Sequence, residues 1–175
     1  MRKAVGGLLA PQSPLLPVRT KLYLWKVRNT DFFFSDVHLG APDAASSRLR
    51  ERMLVDWLRS IAPRARSLYI VGDLFDFWLE YRHVVPKGFV RLQGVLAELA
   101  DQGVEIHLFR GNHDLWYGSY LADELGLIVH SERVLYTELH GLRVCVGHGD
   151  GLGPGDTGYK WLDRKSTRLN SSHRL

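Results

Sequence analysis

At 175 residues with 45% hydrophobic content, the chain is long enough for one domain with a real core and too apolar to be disordered throughout. Its formal charge of +4 resides at the ends: residues 1–29 hold six Lys or Arg and no acid, residues 163–175 hold four with one acid, and the body between is acidic on balance. That distribution argues against nucleic acid as a partner, because a polyanion-binding face needs basic residues clustered on folded structure.

No apolar run approaches the roughly 18 residues of a membrane span. Residues 1–17 begin basic, but Pro11, Pro14 and Pro17 interrupt their apolar pieces too early for a secretory signal. Residues 21–27 fit either an upstream strand or a leader. The first firm strand is 31–34, and Ser35-Asp36-Val37-His38 follows it. A polar loop over 40–46 comes next, with Ser46 or Ser47 as the expected helix cap. Met53, Leu54, Trp57, Leu58 and Ile61 then repeat at helical spacing up to Pro63. Residues 68–71 form a short buried strand leading into Gly72-Asp73-Leu74-Phe75-Asp76. Pro86-Lys87-Gly88 is a turn, and Phe89, Leu92, Val95, Leu96 and Leu99 mark a second amphipathic helix closed by Gly103. The alternating run 104–109 reads as a strand that delivers Gly111-Asn112-His113-Asp114.

A short helix is expected over 117–125, stopped by Gly126, with a strand at 127–129. Residues 134–139 and 142–146 alternate around His140-Gly141, the spacing of a tight hairpin, and Gly147-His148-Gly149-Asp150 follows. This order implies an α/β fold with a mixed sheet and helices on its faces. Cys145, the only cysteine, is expected as a small buried side chain with no disulfide, which fits a reducing compartment. Trp57, Trp78 and Trp116 read as core, and His83, His107, His130 and His140 as surface or satisfied core residues.

Each of the four polar clusters sits where a strand ends, and the carboxyl ends of neighbouring strands open into one crevice. Singly each cluster is ordinary loop chemistry; together they supply imidazole and oxygen donors to one place. Such donors suit divalent first-row ions such as Mn, Fe or Zn, and one cysteine cannot build a zinc ribbon. A carboxylate can bridge two ions roughly 3.5 to 4 Å apart, and Asp73 is the natural bridge. Asn112 offers a carbonyl, His113 an imidazole, and Asp114 a carboxylate that can orient that imidazole. Asp76 reads equally as an outer partner or a cap. Residues 153–158 match GxGxxG, yet no strand leads into them, and Tyr159 breaks a near-match to a phosphate-binding loop before Lys160.

In this order DxH, GDxxD, GNHD and GHGD resemble the calcineurin-like metallophosphoesterases. The fuller wording, SDVHLGAP, VGDLFDFW, VPKGFVR, GNHDLW and HGDGLGPGDTGYK, is similar to the UDP-2,3-diacylglucosamine diphosphatases of lipid A synthesis, over residues 31–162. The resemblance implies a sandwich of mixed β-sheets flanked by helices and two divalent metal ions, Mn foremost. Asp36 and His38 would hold the first ion, Asp73 would bridge, and Asn112 and His148 would hold the second. His113 would face the phosphate as proton donor or charge stabiliser with Asp114 behind it, and Asn112, His113, Asp156 and Tyr159 would contact substrate. The implied substrate is a lipid-linked UDP-sugar, and the implied location is cytoplasmic, peripheral to the inner membrane. Alternatives are another phosphoesterase of the class, such as a nucleotide pyrophosphatase, or an inactive metal-binding fragment. Two family features are missing: a downstream GHxH motif and most of a helical insertion for acyl chains. Residues 163–173, DRKSTRLNSSH, resemble a translated sequencing-library adapter. The expected division is therefore a leader over 1–29, a partial metallophosphoesterase domain over 30–162 and a non-native tail over 163–175.

Overall fold

The computed structural model describes residues 28–150, so the region 21–27 and the expected tail lie outside the described residues. Four parallel strands, β1 (Thr30–Phe34), β2 (Ala65–Val71), β3 (Glu105–Phe109) and β4 (Ile128–Val129), lie side by side in chain order. Between them run α1 (Ala44–Ile61), α2 (Val90–Asp101) and α3 (Tyr120–Leu125). Because the strand order never reverses, right-handed crossovers put each helix on the same side of the sheet. Leu68, Ile70, Ile106 and Leu108 point to that side and share a core with Val55 and Leu58 of α1, Leu92 and Leu96 of α2, and Leu121 of α3.

The hairpin of β5 (Val134–Leu139) and β6 (Leu142–Gly147) is a separate antiparallel sheet rather than part of a single mixed one. It covers the opposite face, where Tyr69 and Phe109 meet Val146, with Leu135, Leu139 and Val144 around them. Helices on one face and a second sheet on the other make the expected layered α/β sandwich. His140 (φ 51) and Gly141 (φ 78) both adopt the left-handed conformation that a two-residue hairpin turn with the sheet's own twist requires.

Several local expectations shift. The α1 cap is Asp43, whose Oδ1 accepts from the amides of Ala45 (2.8 Å) and Ser46 (3.0 Å). Ser47 is instead buried inside the helix, where its hydroxyl accepts from Gly40 N at 2.9 Å. Met53 faces solvent, and Trp57 is half-buried with its edge against Phe32 and Phe34. Helix α3 starts at Tyr120, three residues later than expected, because Tyr117 is turned into the core. Cys145 is exposed: strand alternation sends Val144 and Val146 toward the sheet, and Cys145 out. Trp78 is fully buried against Phe75, whereas Trp116 is half-buried beside Phe77. His107 Nδ1 and His130 Nε2 lie 3.0 Å apart between the rings of Tyr69 and Phe109, and His140 Nε2 meets Asp31 Oδ2 at 3.1 Å. Among the described residues, no helix is long and apolar enough to cross a membrane.

Candidate metal centre

In the parallel register Phe34, Ile70, Leu108 and Val129 lie side by side, so the strands finish level and their loops begin at one height. The first two loops are laced together by backbone. Val37 and His38 amides both donate to Asp73 O (2.9 and 3.0 Å), Leu39 N donates to Leu74 O (3.0 Å), and Asp76 N returns to Leu39 O (2.9 Å). That lacing holds Asp36, His38 and Asp73 at φ of 58, 48 and 52, a left-handed region tolerated best by Asp, Asn and His among residues with a side chain. Strained backbone of this kind gathers where a side chain must be aimed.

The five expected ligands converge. Asp73 is buried, and its Oδ2 lies 3.5 Å from His38 Nε2 and 3.4 Å from His148 Nε2, between imidazoles from two different loops. Asp36 Oδ1 is 3.9 Å from His38 Nε2, and Asn112 Oδ1 is 3.3 Å from His148 Nε2. His148 Nδ1 lies 2.9 Å from Val71 O, and because a carbonyl only accepts, the ring proton sits on Nδ1. The Nε2 lone pair is thus turned toward two more acceptors. With the Asp36 and Asp73 carboxylates and the Asn112 carbonyl beside it, the cluster gathers oxygen and imidazole ligand atoms of the kind a divalent cation takes. Asp36, Asp73 and His148 place ligand atoms within 4.8 Å of one another.

Glycines make the approach possible. A Cβ on Gly72 (φ 80) would sit 2.6 Å from the His148 ring, and one on Gly111 would overlap Asp73 Oδ1. His113 stands beside this cluster, its amide donating to Asp73 Oδ1 at 3.0 Å and its ring edge-on to His38 at 4.7 Å between centroids.

The carboxylate facing the His113 ring is Asp76, with Oδ1 3.3 Å from His113 Nδ1 and 3.8 Å from His38 Nδ1. Asp114, expected behind His113, points the opposite way. Fully buried, it accepts from the amides of Gly111 (2.8 Å), Phe75 (3.1 Å) and Asp73 (3.2 Å) and from the Tyr117 hydroxyl. Burial raises its carboxyl above the ordinary 3.8 while these bonds pull it down, and burial beside Asp114 pushes the Tyr117 hydroxyl well above 10.0. Its role is to tie the loop after β2 to the loop after β3. The GDxxD spacing was the available signal for Asp76; Tyr117, one turn beyond Asp114, had none. Asp150 turns away to pair with Arg133 Nη1 at 2.9 Å. Asp156 and Tyr159 lie outside the described residues.

The calcineurin-like phosphoesterase model matches residues 32–170. Three relatives carry the name UDP-2,3-diacylglucosamine hydrolase. That of Porphyromonas gingivalis is 48% identical over 71% of this chain and 47% of its own length. That of Ralstonia nicotianae is 34% identical over 86% of this chain and 54% of its own. That of Photorhabdus laumondii is 37% identical over 73% of this chain and 51% of its own. The chain spans about half the length of the curated relatives it matches. With a match across most of its length and the motif residues gathered at one edge of the sheet, the chain belongs to the calcineurin-like phosphoesterase family, whose hydrolases work with divalent metal ions.

Proposed function

We propose that the protein hydrolyses the pyrophosphate of UDP-2,3-diacylglucosamine to 2,3-diacylglucosamine 1-phosphate and UMP, a step of lipid A synthesis, with two divalent ions, Mn foremost. The observation that carries this reading is the single Asp73 carboxylate oxygen held 3.5 and 3.4 Å from two imidazoles of different loops. Asp36, His38 and Asp73 would hold one ion, and Asp73, Asn112 and His148 the other. Ions held there supply Lewis-acid polarisation of the phosphoryl group and of the attacking water. The substrate assignment draws on the printed names of the relatives and on their identity to this chain.

The protein's own groups divide the remaining work. Asp76 offers two acceptors, Oδ1 and its backbone oxygen, each 3.3 Å from His113 Nδ1, which keeps a proton on that nitrogen. His113 Nε2 is then left for the phosphoryl oxygens, where the ring serves as proton donor or charge stabiliser. Asp114 keeps Asp73 and the backbone of the 111–114 loop in place for this. Asp156 and Tyr159 remain the proposed contacts to the glucosamine phosphate. Because the substrate is lipid-linked, the enzyme works in the cytoplasm at the surface of the inner membrane.

The test uses the full-length protein. Asp73→Ala should abolish turnover and lower the occupancy of both metals, whereas His113→Ala should keep its metal and slow hydrolysis by about a hundredfold or more. Unchanged metal stoichiometry in Asp73→Ala would remove the bridge. Faster hydrolysis of lipid-free nucleotide pyrophosphates than of UDP-2,3-diacylglucosamine would favour a nucleotide pyrophosphatase.

A further inference from the structure

The segment from Phe77 into the start of α2 leaves several apolar side chains in solvent while Trp78, Val85 and Phe89 pack inward. Phe77, Leu79, Tyr81, Val84 and Val90 are all exposed, Val84 to 65%, although Phe75 and Trp78 beside them are buried. The charge of this segment is one-sided. Within residues 77–91 the exposed ionisable side chains are Arg82, His83, Lys87 and Arg91. The one acid, Glu80, turns inward and accepts from Trp78 Nε1 (3.1 Å) and the Tyr120 amide (3.0 Å).

The tip is built rather than loose. Tyr81 and Val84 exchange two backbone hydrogen bonds (3.0 and 2.9 Å) across a two-residue turn, with Arg82 at φ 52. Directly opposed residues of such a pair present their side chains on one side. The Arg82 guanidinium lies over the Tyr81 ring at 5.5 Å. The base of the tip is fastened to the segment that carries the candidate site: Glu80 N donates to Trp116 O at 3.1 Å, and the Phe77 and Trp116 rings are 5.7 Å apart.

We propose that residues 77–91 are the surface on which the protein sits against an anionic lipid bilayer, with Tyr81 and Val84 entering the interfacial layer and Arg82, Lys87 and Arg91 over the headgroups. Aromatic and aliphatic side chains at a membrane interface, ringed by Lys and Arg, are the composition such a surface selects. A cationic rim with no outward acid complements lipid phosphate. Because the turn is already closed by its own hydrogen bonds, little ordering is needed on contact. The assignment deepens the proposed function by naming how a lipid-linked substrate would reach the site, but it stands on the surface itself.

The experiment is co-sedimentation of the full-length protein with vesicles of phosphatidylglycerol and phosphatidylcholine, or of phosphatidylcholine alone, at low and high salt. The protein should partition onto the anionic vesicles and be released by salt. Arg82→Gln and Lys87→Gln should each weaken partitioning by about fivefold. Tyr81→Ser with Val84→Ser should weaken it at high salt, where the charges are screened. Absence of binding, equal binding to neutral vesicles, or wild-type binding by the Gln variants would overturn the proposal. So would self-association in sedimentation velocity that the Ser variant abolishes, which would make a second copy the occupant. Hydrolysis of detergent-dispersed UDP-2,3-diacylglucosamine, measured separately, tests the proposed function and leaves the vesicle result untouched.

Discussion

Replacing Asp114 by Asn should loosen the site without altering any candidate metal ligand. The carboxylate spends Oδ1 on the amides of Gly111 (2.8 Å) and Asp73 (3.2 Å) and Oδ2 on the Phe75 amide (3.1 Å) and the Tyr117 hydroxyl. An amide has one acceptor oxygen. Placed at the Oδ1 position, it turns NH2 toward the Phe75 N–H, which then has no acceptor, while Tyr117 must rotate its hydroxyl to accept instead. A stranded buried N–H costs about 1–3 kcal/mol, and exchanging charge-assisted bonds for neutral ones costs about 1 kcal/mol more. Relief from burying a charge offsets part of this, so the expected loss is about 2–3 kcal/mol. Tyr117→Phe removes one donor and leaves three amides in place, for a loss of about 1.5 kcal/mol. Both are measured by urea unfolding in EDTA, which keeps metal linkage out of the comparison. An Asp114→Asn protein within about 0.5 kcal/mol of wild type, or a larger loss in Tyr117→Phe, would refute this account of the network.

Gly111→Ala should lose stability and bind Mn more weakly, because the new methyl would overlap both Asp73 Oδ1 and the Asp73 backbone nitrogen, so that carboxylate and loop must shift together; urea unfolding and calorimetric titration that both match wild type would show that the loops absorb the methyl. Glu51, buried on α1, accepts from the amides of Arg91 (3.1 Å) and Leu92 (3.2 Å) at the start of α2, where Phe89 supplies no side-chain cap. Glu51→Ala should therefore cost about 1–2 kcal/mol in urea unfolding, with Glu51→Gln recovering most of it. Asp31 is held below its ordinary 3.8 by Arg66 first and then by Ser67. A depressed carboxyl contributes stability that is complete above 3.8 and is lost as pH falls through the folded value. Wild type should thus lose stability more steeply than Asp31→Asn below about pH 4, and parallel curves would exclude the contribution.

The four loops were legible because each polar cluster directly follows an apolar alternating run, and a strand end fixes where its next residues emerge. What the sequence could not carry was direction after the strand. His113 and Asp114 are neighbours, yet the tight turn sends one ring to the site and the other side chain into the core, so adjacency named the wrong carboxylate. The partner that does face His113, Asp76, is 37 residues away and arrives through the pairing of the loops after β2 and β3. Strand order was hidden for the same reason: nothing in the alternation of 134–146 says whether that hairpin extends the parallel sheet or lies across it. Cys145 was different, since its place between Val144 and Val146 already puts it on the outward side of a half-buried strand.

The two halves of the candidate centre are held by unequal means. Asp36, His38 and Asp73 stand in the loops that follow adjacent parallel strands and are fixed by backbone hydrogen bonds between those loops, supported below by Asp114. His148 comes instead from the hairpin, and reaches the same carboxylate across the layer boundary. Its ring is positioned by its bond to Val71 O, by its closeness to Gly72, and by the packing of Val146 on Tyr69 and Phe109. The position of His148 therefore depends on how firmly the two sheets are pressed together, while Asp36, His38 and Asp73 depend on one sheet alone. A centre assembled in this way couples its geometry to the closure of the sandwich, because Asp73 is common to both halves and can serve both only when the second layer is in place.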